Sequence, residues 1–398
     1  MNSLKKIYCR TYQKIMHFAM CFMPYREPKI LESLKDIKTV LKAKGKTSPM
    51  LVTDQGVRRL GLTKSLEEDL LQNNFNLTVF DQTMPNPTIN AVESALALYK
   101  QNKADCLIAF GGGSVMDLAK GVGARASNPK KSLRQMGGLL KVKHKLPLLL
   151  AIPTTAGTGS ETTVAAVITD SETHHKYAIN DFNLVPEYAV LDASLTINLP
   201  KFLTATTGMD ALTHAVEAFI GGSTTPKTRR CALEATKMIF ENLPECYHNS
   251  TNIIARQNML KASYLAGMAF TRSYVGYVHA IAHSLGGKYG TAHGFANAVI
   301  LPIMLREYGK KAEKKLAILA RYSGVANIED SNEVASKKFI ERIDNLNTEM
   351  QIGHKFDFIK PEDIHELAKN ADAEANPLYP VPKLLNKNEL AEIYKKLG

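Results

Sequence analysis

Cys106-Leu-Ile-Ala-Phe-Gly-Gly-Gly-Ser-Val-Met-Asp-Leu-Ala-Lys120 is the stretch whose reading decides the fold. Its first five residues are an apolar run too short for a helix and suited to a buried strand. Three glycines follow, which let the chain turn sharply and let a ligand come close to the backbone amides. A helical pattern begins at once. Ser114 is the expected N-cap, and Asp117 three residues later completes a capping-box pattern. A helix starting there aims free N–H groups and its positive dipole end at the loop, a setting for a pyrophosphate. The loop is neither GxGxxG nor a Walker A sequence.

Outward from this stretch the same grammar repeats. Residues 50–53 read as a strand ending at Asp54, with a helical stretch to about residue 73. Residues 77–80 are the next strand, 90–100 the next helix, and 148–152 a further strand; 164–169 and 188–191 are also β-like. Strands alternating with helices imply parallel strands joined by helical crossovers. The 148–152 strand runs into Pro153-Thr-Thr-Ala-Gly-Thr-Gly-Ser-Glu161, a loop dense in hydroxyls and small residues that can lie against a flat ring or a phosphate. Asp54 could accept from both ribose hydroxyls of NAD and repel the extra phosphate of NADP, although here the acid precedes the glycine loop. Near Leu199-Pro200 the character changes to helical periodicity that persists to residue 398. The expected division is an α/β nucleotide-binding domain over 1–198, with 1–25 an atypical extension, and an all-helical domain over 199–398.

Composition narrows the classes. With 398 residues, 45% apolar and 22% charged, the chain fits two ordinary globular domains. Five cysteines without a CxxC pair suit isolated thiols in a reducing cytosol, so a cytoplasmic location is expected. The net charge of +12 is spread along the chain without a nucleic-acid-binding module, and is read as solvated faces that attract anionic cofactors at long range. The apolar stretch 18–23 is too short to span a bilayer and lacks a cleavage site, so neither a membrane anchor nor secretion is expected. Residues 1–23 are read as a structured extension.

Two segments carry a second kind of chemistry. In Gly208-Met-Asp-Ala-Leu-Thr-His-Ala-Val-Glu-Ala-Phe219, which reads as the start of a helix, Asp210 and His214 are four apart and share a face. In Tyr277-Val-His-Ala-Ile-Ala-His-Ser-Leu-Gly-Gly-Lys-Tyr-Gly-Thr-Ala-His-Gly294, His279 and His283 repeat that spacing and His293 follows in a glycine-flanked turn. Carboxylate and imidazole without thiolate suit Fe, Zn, Mn or Co. By spacing alone, five residues compete for about four positions on one ion. If His279 and His293 bind it, His283 lies one turn away, placed to carry a proton.

These residues together resemble the iron-dependent (group III) alcohol dehydrogenase family. The resemblance rests on Leu51-Val-Thr-Asp54, Pro85-Asn-Pro-Thr88, Gly111-Gly-Gly-Ser114 with Asp117 and Lys120, the 153–161 loop, 208–219, and 279–302, in that order. It implies the dehydroquinate synthase-like fold, an α/β nucleotide-binding domain with a mostly parallel sheet followed by an all-α metal-binding domain. By resemblance Asp210, His214, His279 and His293 are the metal ligands and His283 is the histidine near the nicotinamide. Asp54 selects NAD, and Asn86, Gly113, Ser114, Asp117, Thr154, Thr155, Thr158 and Lys176 line the cofactor site. The implied activity is NAD-dependent interconversion of a small primary alcohol or diol and its aldehyde, with Fe2+ or Zn2+, in a homodimer or larger homo-oligomer. Glycerol dehydrogenase-like and maleylacetate reductase-like enzymes and hydroxyacid–oxoacid transhydrogenases are kindred readings. The complete Asp/His set disfavours the first two, and argues against a silent scaffold. The family's opening strand is not recognisable in residues 1–30, and Asp192-Ala193 stands where the family often has Asp-Pro.

Overall fold

A computed structural model describes residues 1–22, 25–172 and 176–398. The chain divides into two compact units, Pro24–Ile197, and Met1–Met23 together with Asn198–Gly398. The first residues, placed by the sequence reading with the α/β domain, thus belong to the helical unit.

The α/β unit is built on strands β1 (Lys29–Leu31), β2 (Pro49–Val52), β3 (Thr78–Phe80), β4 (Cys106–Gly111), β5 (Gly138–Leu139), β6 (Leu148–Pro153), β7 (Ala165–Thr169), β8 (Lys176–Asn180) and β9 (Tyr188–Val190). Six of them form a parallel sheet in the order β1-β9-β6-β4-β2-β3. β4 and β6 are buried along their whole length because helices cover both faces. Alternate residues face opposite sides. Leu107, Ala109, Leu149 and Ala151 join one apolar cluster with Val92, Leu118 and Val122. Ile108, Phe110, Leu150 and Ile152 join another with Ile37, Leu41, Leu66 and Leu70. The expected stretch to residue 73 is two helices, Gln55–Arg59 and Lys64–Gln72, separated where Gly61 takes φ +71°. β5, β8 and β7 form a second, smaller sheet in which β5 and β8 are parallel and β7 and β8 antiparallel, in keeping with the mostly parallel character expected of this unit.

The topology marks a place for a ligand. From β2 the chain adds β3 on one side and then β4 on the other, so the order reverses between β2 and β4. Ligands of open α/β sheets bind beyond the carboxyl ends of the strands at such a point. The glycine stretch, the 153–161 loop and Asp54 all leave the carboxyl ends of β4, β6 and β2.

In the helical unit the Lys201–Ile220 helix is buried almost all round from Thr204 onward. It packs against Pro226–His248, Ile253–Ser273 and His293–Tyr308. A helix apolar on every side must be central. The 208–219 segment, read as the start of a helix, is its middle; the helix begins seven residues earlier, just after Pro200. The Ser3–Phe22 helix lies on this unit through Gln13, which donates to the carbonyls of Pro377 and Tyr379. Of the apolar stretch 18–23, Met23 lies outside the described residues. Among the described residues no helix is long and apolar enough to cross a membrane.

Candidate metal centre and nucleotide loops

Three helices deliver the candidate ligands. Asp210 and His214 project from one face of Lys201–Ile220, and His279 and His283 from the first turns of Tyr277–Tyr289. That helix stops at Gly290 in the left-handed conformation (φ +70°). His293, expected in the turn, instead opens the next helix, His293–Tyr308. Gly294 makes the approach possible: a Cβ there would come within 2.4 Å of the Thr206 carbonyl oxygen and 3.4 Å of Asp210 Cβ.

Asp210, His214, His279 and His293 each offer one donor atom within 4.8 Å of all the others. Asp210 Oδ1 is 3.4 Å from His293 Nε2 and 3.8 Å from His279 Nε2. A four-coordinate first-row ion about 2.1 Å from its ligands sets them roughly 3.4 Å apart, so the spacing suits one ion. His214 is wedged between Phe270 and His279, with ring centroids at 4.1 and 4.5 Å. His283 is outside this set. Its ring stacks on His293 at 5.0 Å and its Nδ1 is 2.7 Å from Glu374 Oε1, an oxygen that also accepts from the Tyr379 hydroxyl.

Two residues absent from the sequence reading complete the centre. Glu217 Oε2 is 2.6 Å from His279 Nδ1, and the carboxylate also accepts from the amides of Gly276 and Val278. With Nδ1–H donated to Glu217, Nε2 keeps its lone pair for an ion. Glu217 is three and seven residues beyond His214 and Asp210, so the same helical spacing pointed to it. Asn297, fully buried one turn after His293, places Nδ2 2.7 Å from Asp210 Oδ1, 3.1 Å from His293 Nε2 and 3.3 Å from His279 Nε2. Its Oδ1 is buried without a hydrogen-bond partner.

The electrostatics suit a cation. Burial raises the Asp210 carboxyl and pushes Glu217 up to about 7. Burial, reinforced by the neighbouring histidines, drives His279 well below its usual range, so it is a neutral imidazole. Two buried carboxylates beside an imidazole held neutral make a setting that a divalent ion stabilises. The donor chemistry and the spacing both fit such an ion.

The α/β unit gathers the other candidates. The Gly113–Ser127 helix is capped by Gly112 with no side-chain bond, so Ser114 and Asp117 are not the expected capping box. Gly112 is extended (φ −82°, ψ −170°), and this starts the helix one residue before Ser114. The Ser114 hydroxyl accepts instead from the Asn86 amide at 3.3 Å, and Asn86 Oδ1 accepts from Lys176 Nζ at 2.9 Å. These three residues therefore meet at the helix start. Gly113 faces Thr158 and Ser160 across the gap between loops, and the Thr154 amide donates to the Gly111 carbonyl. Thr155 lies in the same loop. Asp117 accepts from the Val167 amide, and burial pushes its carboxyl up to about 6. Asp54 caps the Gln55–Arg59 helix, Oδ1 accepting from the Val57 amide at 2.9 Å, which leaves its second oxygen for another donor.

Lys120 holds the two loops together. Its fully buried ammonium donates to the carbonyls of Ser160, Thr163 and Ala165 and to the Thr163 hydroxyl, at 2.7–3.0 Å. Desolvation lowers it to about 8. Glu161, 1% exposed, is pushed by burial up to about 7, and its Oε2 has no partner.

A parallel sheet covered on both faces, with a glycine-led helix at its switch point, and a helical unit bearing an Asp/His donor cage are the layout of a two-domain oxidoreductase. The family described as iron-containing alcohol dehydrogenase matches residues 31–193, and the C-terminal part of the Fe-containing alcohol dehydrogenase family matches 204–398. Alcohol dehydrogenase 4 of Saccharomyces cerevisiae is 35% identical over 92% of this chain and 94% of its own length. The NAD-dependent methanol dehydrogenase of Bacillus methanolicus is 35% identical over 85% of this chain and 89% of its own. The crystal structure of a 1,3-propanediol oxidoreductase superposes with a TM-score of 0.90 at 33% identity, covering 95% of this chain and all of that one. The chain belongs to the iron-containing alcohol dehydrogenase family.

Proposed function

We propose that this chain is an NAD-dependent alcohol dehydrogenase that interconverts a small primary alcohol or diol and its aldehyde with one Fe2+ bound by Asp210, His214, His279 and His293; Zn2+ suits the same donors. The observation that carries the reading is the convergence of those four donor atoms within 4.8 Å, with Glu217 behind His279. The relatives named for methanol and for 1,3-propanediol support the substrate class, and the one named as NAD-dependent supports the cofactor.

A divalent ion so bound supplies Lewis acidity toward an alcohol or carbonyl oxygen, and NAD supplies the hydride acceptor. The protein's own groups do the rest. Glu217 fixes the tautomer and orientation of His279. His283, which is 45% exposed and held by Glu374, takes the alcohol proton and passes it toward solvent. Gly113, Ser114 and the 153–161 loop present amides and hydroxyls to the pyrophosphate and nicotinamide, and Asn86, Asp117 and Lys176 shape that end of the site. The remaining oxygen of Asp54 accepts from ribose hydroxyls and disfavours a 2′-phosphate.

The test is metal analysis of anaerobically purified protein, paired with NADH absorbance over a panel of short alcohols and diols with added Fe2+. One ion per chain and NADH formation with at least one alcohol are expected. Bound metal with no turnover of any alcohol would sink the substrate class.

A further inference from the structure

The segment Asn376-Pro-Leu-Tyr-Pro-Val-Pro382 leaves the Ile364–Ala375 helix and carries Pro377, Pro380 and Pro382. Without those N–H groups it cannot build a helix or a sheet ladder, so its carbonyls need donors from elsewhere. The Ser3–Phe22 helix supplies most of them. Gln13 Nε2 donates to the carbonyls of Pro377 and Tyr379, and Arg10 to those of Val381 and Pro382, at 2.7–3.1 Å. The Arg10 guanidinium also donates to Gln13 Oε1, which joins the two side chains into one clamp. The Pro380 carbonyl accepts from the Gly222 amide at 2.6 Å.

Tyr379 carries this grip toward the metal centre. Its hydroxyl donates to Glu374 Oε1 at 2.8 Å, the same oxygen that stands 2.7 Å from His283 Nδ1. Glu374 lies in the last turn of its helix, where the negative dipole end disfavours a carboxylate. These two donors account for its place. Desolvation, and then the carboxylate beside it, hold the Tyr379 phenol well above its usual range, so it remains a donor. A carboxylate facing Nδ1 takes the N–H of the imidazole, which makes Nε2 the atom able to accept a proton.

The pair would not hold one geometry unaided. His283 and Glu374 are 45% and 33% exposed, and an ion pair so open to water is weak and mobile. The second donor and the clamped segment behind it supply the missing rigidity. Removing either should let the carboxylate swing toward solvent.

We propose that the Ser3–Phe22 helix is a brace for the proton-carrying side of the centre. Arg10 and Gln13 fix the 377–382 segment, Tyr379 fixes Glu374, and Glu374 holds His283 in one orientation and one tautomer. Gln13, Tyr379 and Glu374 are thus positioning residues that act through His283. The inference rests on His283 as the proton carrier and deepens that reading.

A double-mutant cycle on turnover is the first test. Glu374→Ala should lower kcat by about 10- to 100-fold, and Tyr379→Phe and Gln13→Leu by about 3- to 10-fold, with KM for NAD and metal content unchanged. In a His283→Ala background each of these changes should cost less than about 2-fold, because their target is gone. Equal losses in both backgrounds, as a general packing role would give, or full wild-type kcat in Glu374→Ala, would overturn the proposal. Far-ultraviolet circular dichroism checks the fold; should Gln13→Leu fail to fold, Tyr379→Phe, which loses one oxygen, carries the test. The second measurement needs no turnover. Side-chain nitrogen NMR of the Zn2+-loaded full chain with isotopically labelled histidine reads the tautomer of His283, at a pH where that imidazole is neutral. Its signals are assigned by their loss in His283→Ala. The wild type is expected as the Nδ1–H tautomer and the three variants as mixtures. An Nε2–H tautomer in the wild type would overturn the proposal, as would a wild-type spectrum in Glu374→Ala or wild-type kcat and spectrum in Gln13→Leu. A wild type that turns over no alcohol would sink the functional reading, and the spectra would still decide the brace.

Discussion

The donor cage of the helical unit is made of side chains carried on three helices, whereas the loops at the end of the sheet offer mainly backbone amides and hydroxyls. The cage depends on a few irreplaceable atoms: an imidazole nitrogen either faces the ion or does not. The loops spread their work over many weak donors, and their geometry depends on a buried ammonium, Lys120, that touches no ligand-facing surface of its own. A single substitution should therefore empty the cage while leaving the loops intact, and a substitution under the loops should change stability while leaving the metal in place.

The most severe break in that contrast is His279→Ala. Metal content should fall to background and turnover by on the order of 10³-fold or more, while NADH binding, followed by fluorescence, persists. Loss of NADH binding as well would mean that the two sites are not separable in this way. Next in size is Glu217→Gln. The NH2 of the new amide must face either the Val278 amide or the Gly276 amide together with His279 Nδ1–H, so at least one donor–donor clash replaces a hydrogen bond and chelator competition should show about 10- to 100-fold weaker metal binding. Metal affinity equal to wild type would reduce Glu217 to a packing residue.

The smallest effect belongs to the loops. Glu161 has a folded pKa raised to about 7 from 4.5, so the fold favours its neutral form. That contribution is fully present below pH 4.5 and is lost as pH rises through 7. Glu161→Gln removes the titration. Its stability relative to wild type should thus climb between about pH 4.5 and 7 and then level off, by about 1–3 kcal/mol, with metal content unchanged. Urea unfolding at pH 5 and pH 8 would show this; a pH-independent difference would mean that Glu161 is not the group that titrates.

The same contrast explains what could be read from the amino acids. Asp210, His214, His279 and His293 were legible because metal donors are a short list of residue types and helical spacing is regular. Which of the five candidates stands aside was not legible from spacing, because the position of His283 depends on where His293 and Glu374 come to rest. Glu217 and Asn297 shared the helical register of named ligands, yet a buried Glu and a buried Asn look like surface residues until their partners, 62 positions away in the case of His279, are known. In the loops the glycines and threonines marked the place, but the local bonding differed. Ser114 answers Asn86 rather than capping its own helix, because Gly112 had already started it. The burial of Lys120 and Glu161, both within quoted motifs, was hidden by the usual expectation that charges are solvated. Residues 1–23 read as a structured extension, and the structure makes Ser3–Phe22 a helix.

Asn297 joins the helices that carry the candidate donors. Its amide lies against three of the four donor atoms, on Asp210, His279 and His293. One buried side chain thus fixes the mutual register of Lys201–Ile220, Tyr277–Tyr289 and its own helix, so the geometry of the centre is held by a hydrogen-bonded hub as well as by the packing of the helices around it.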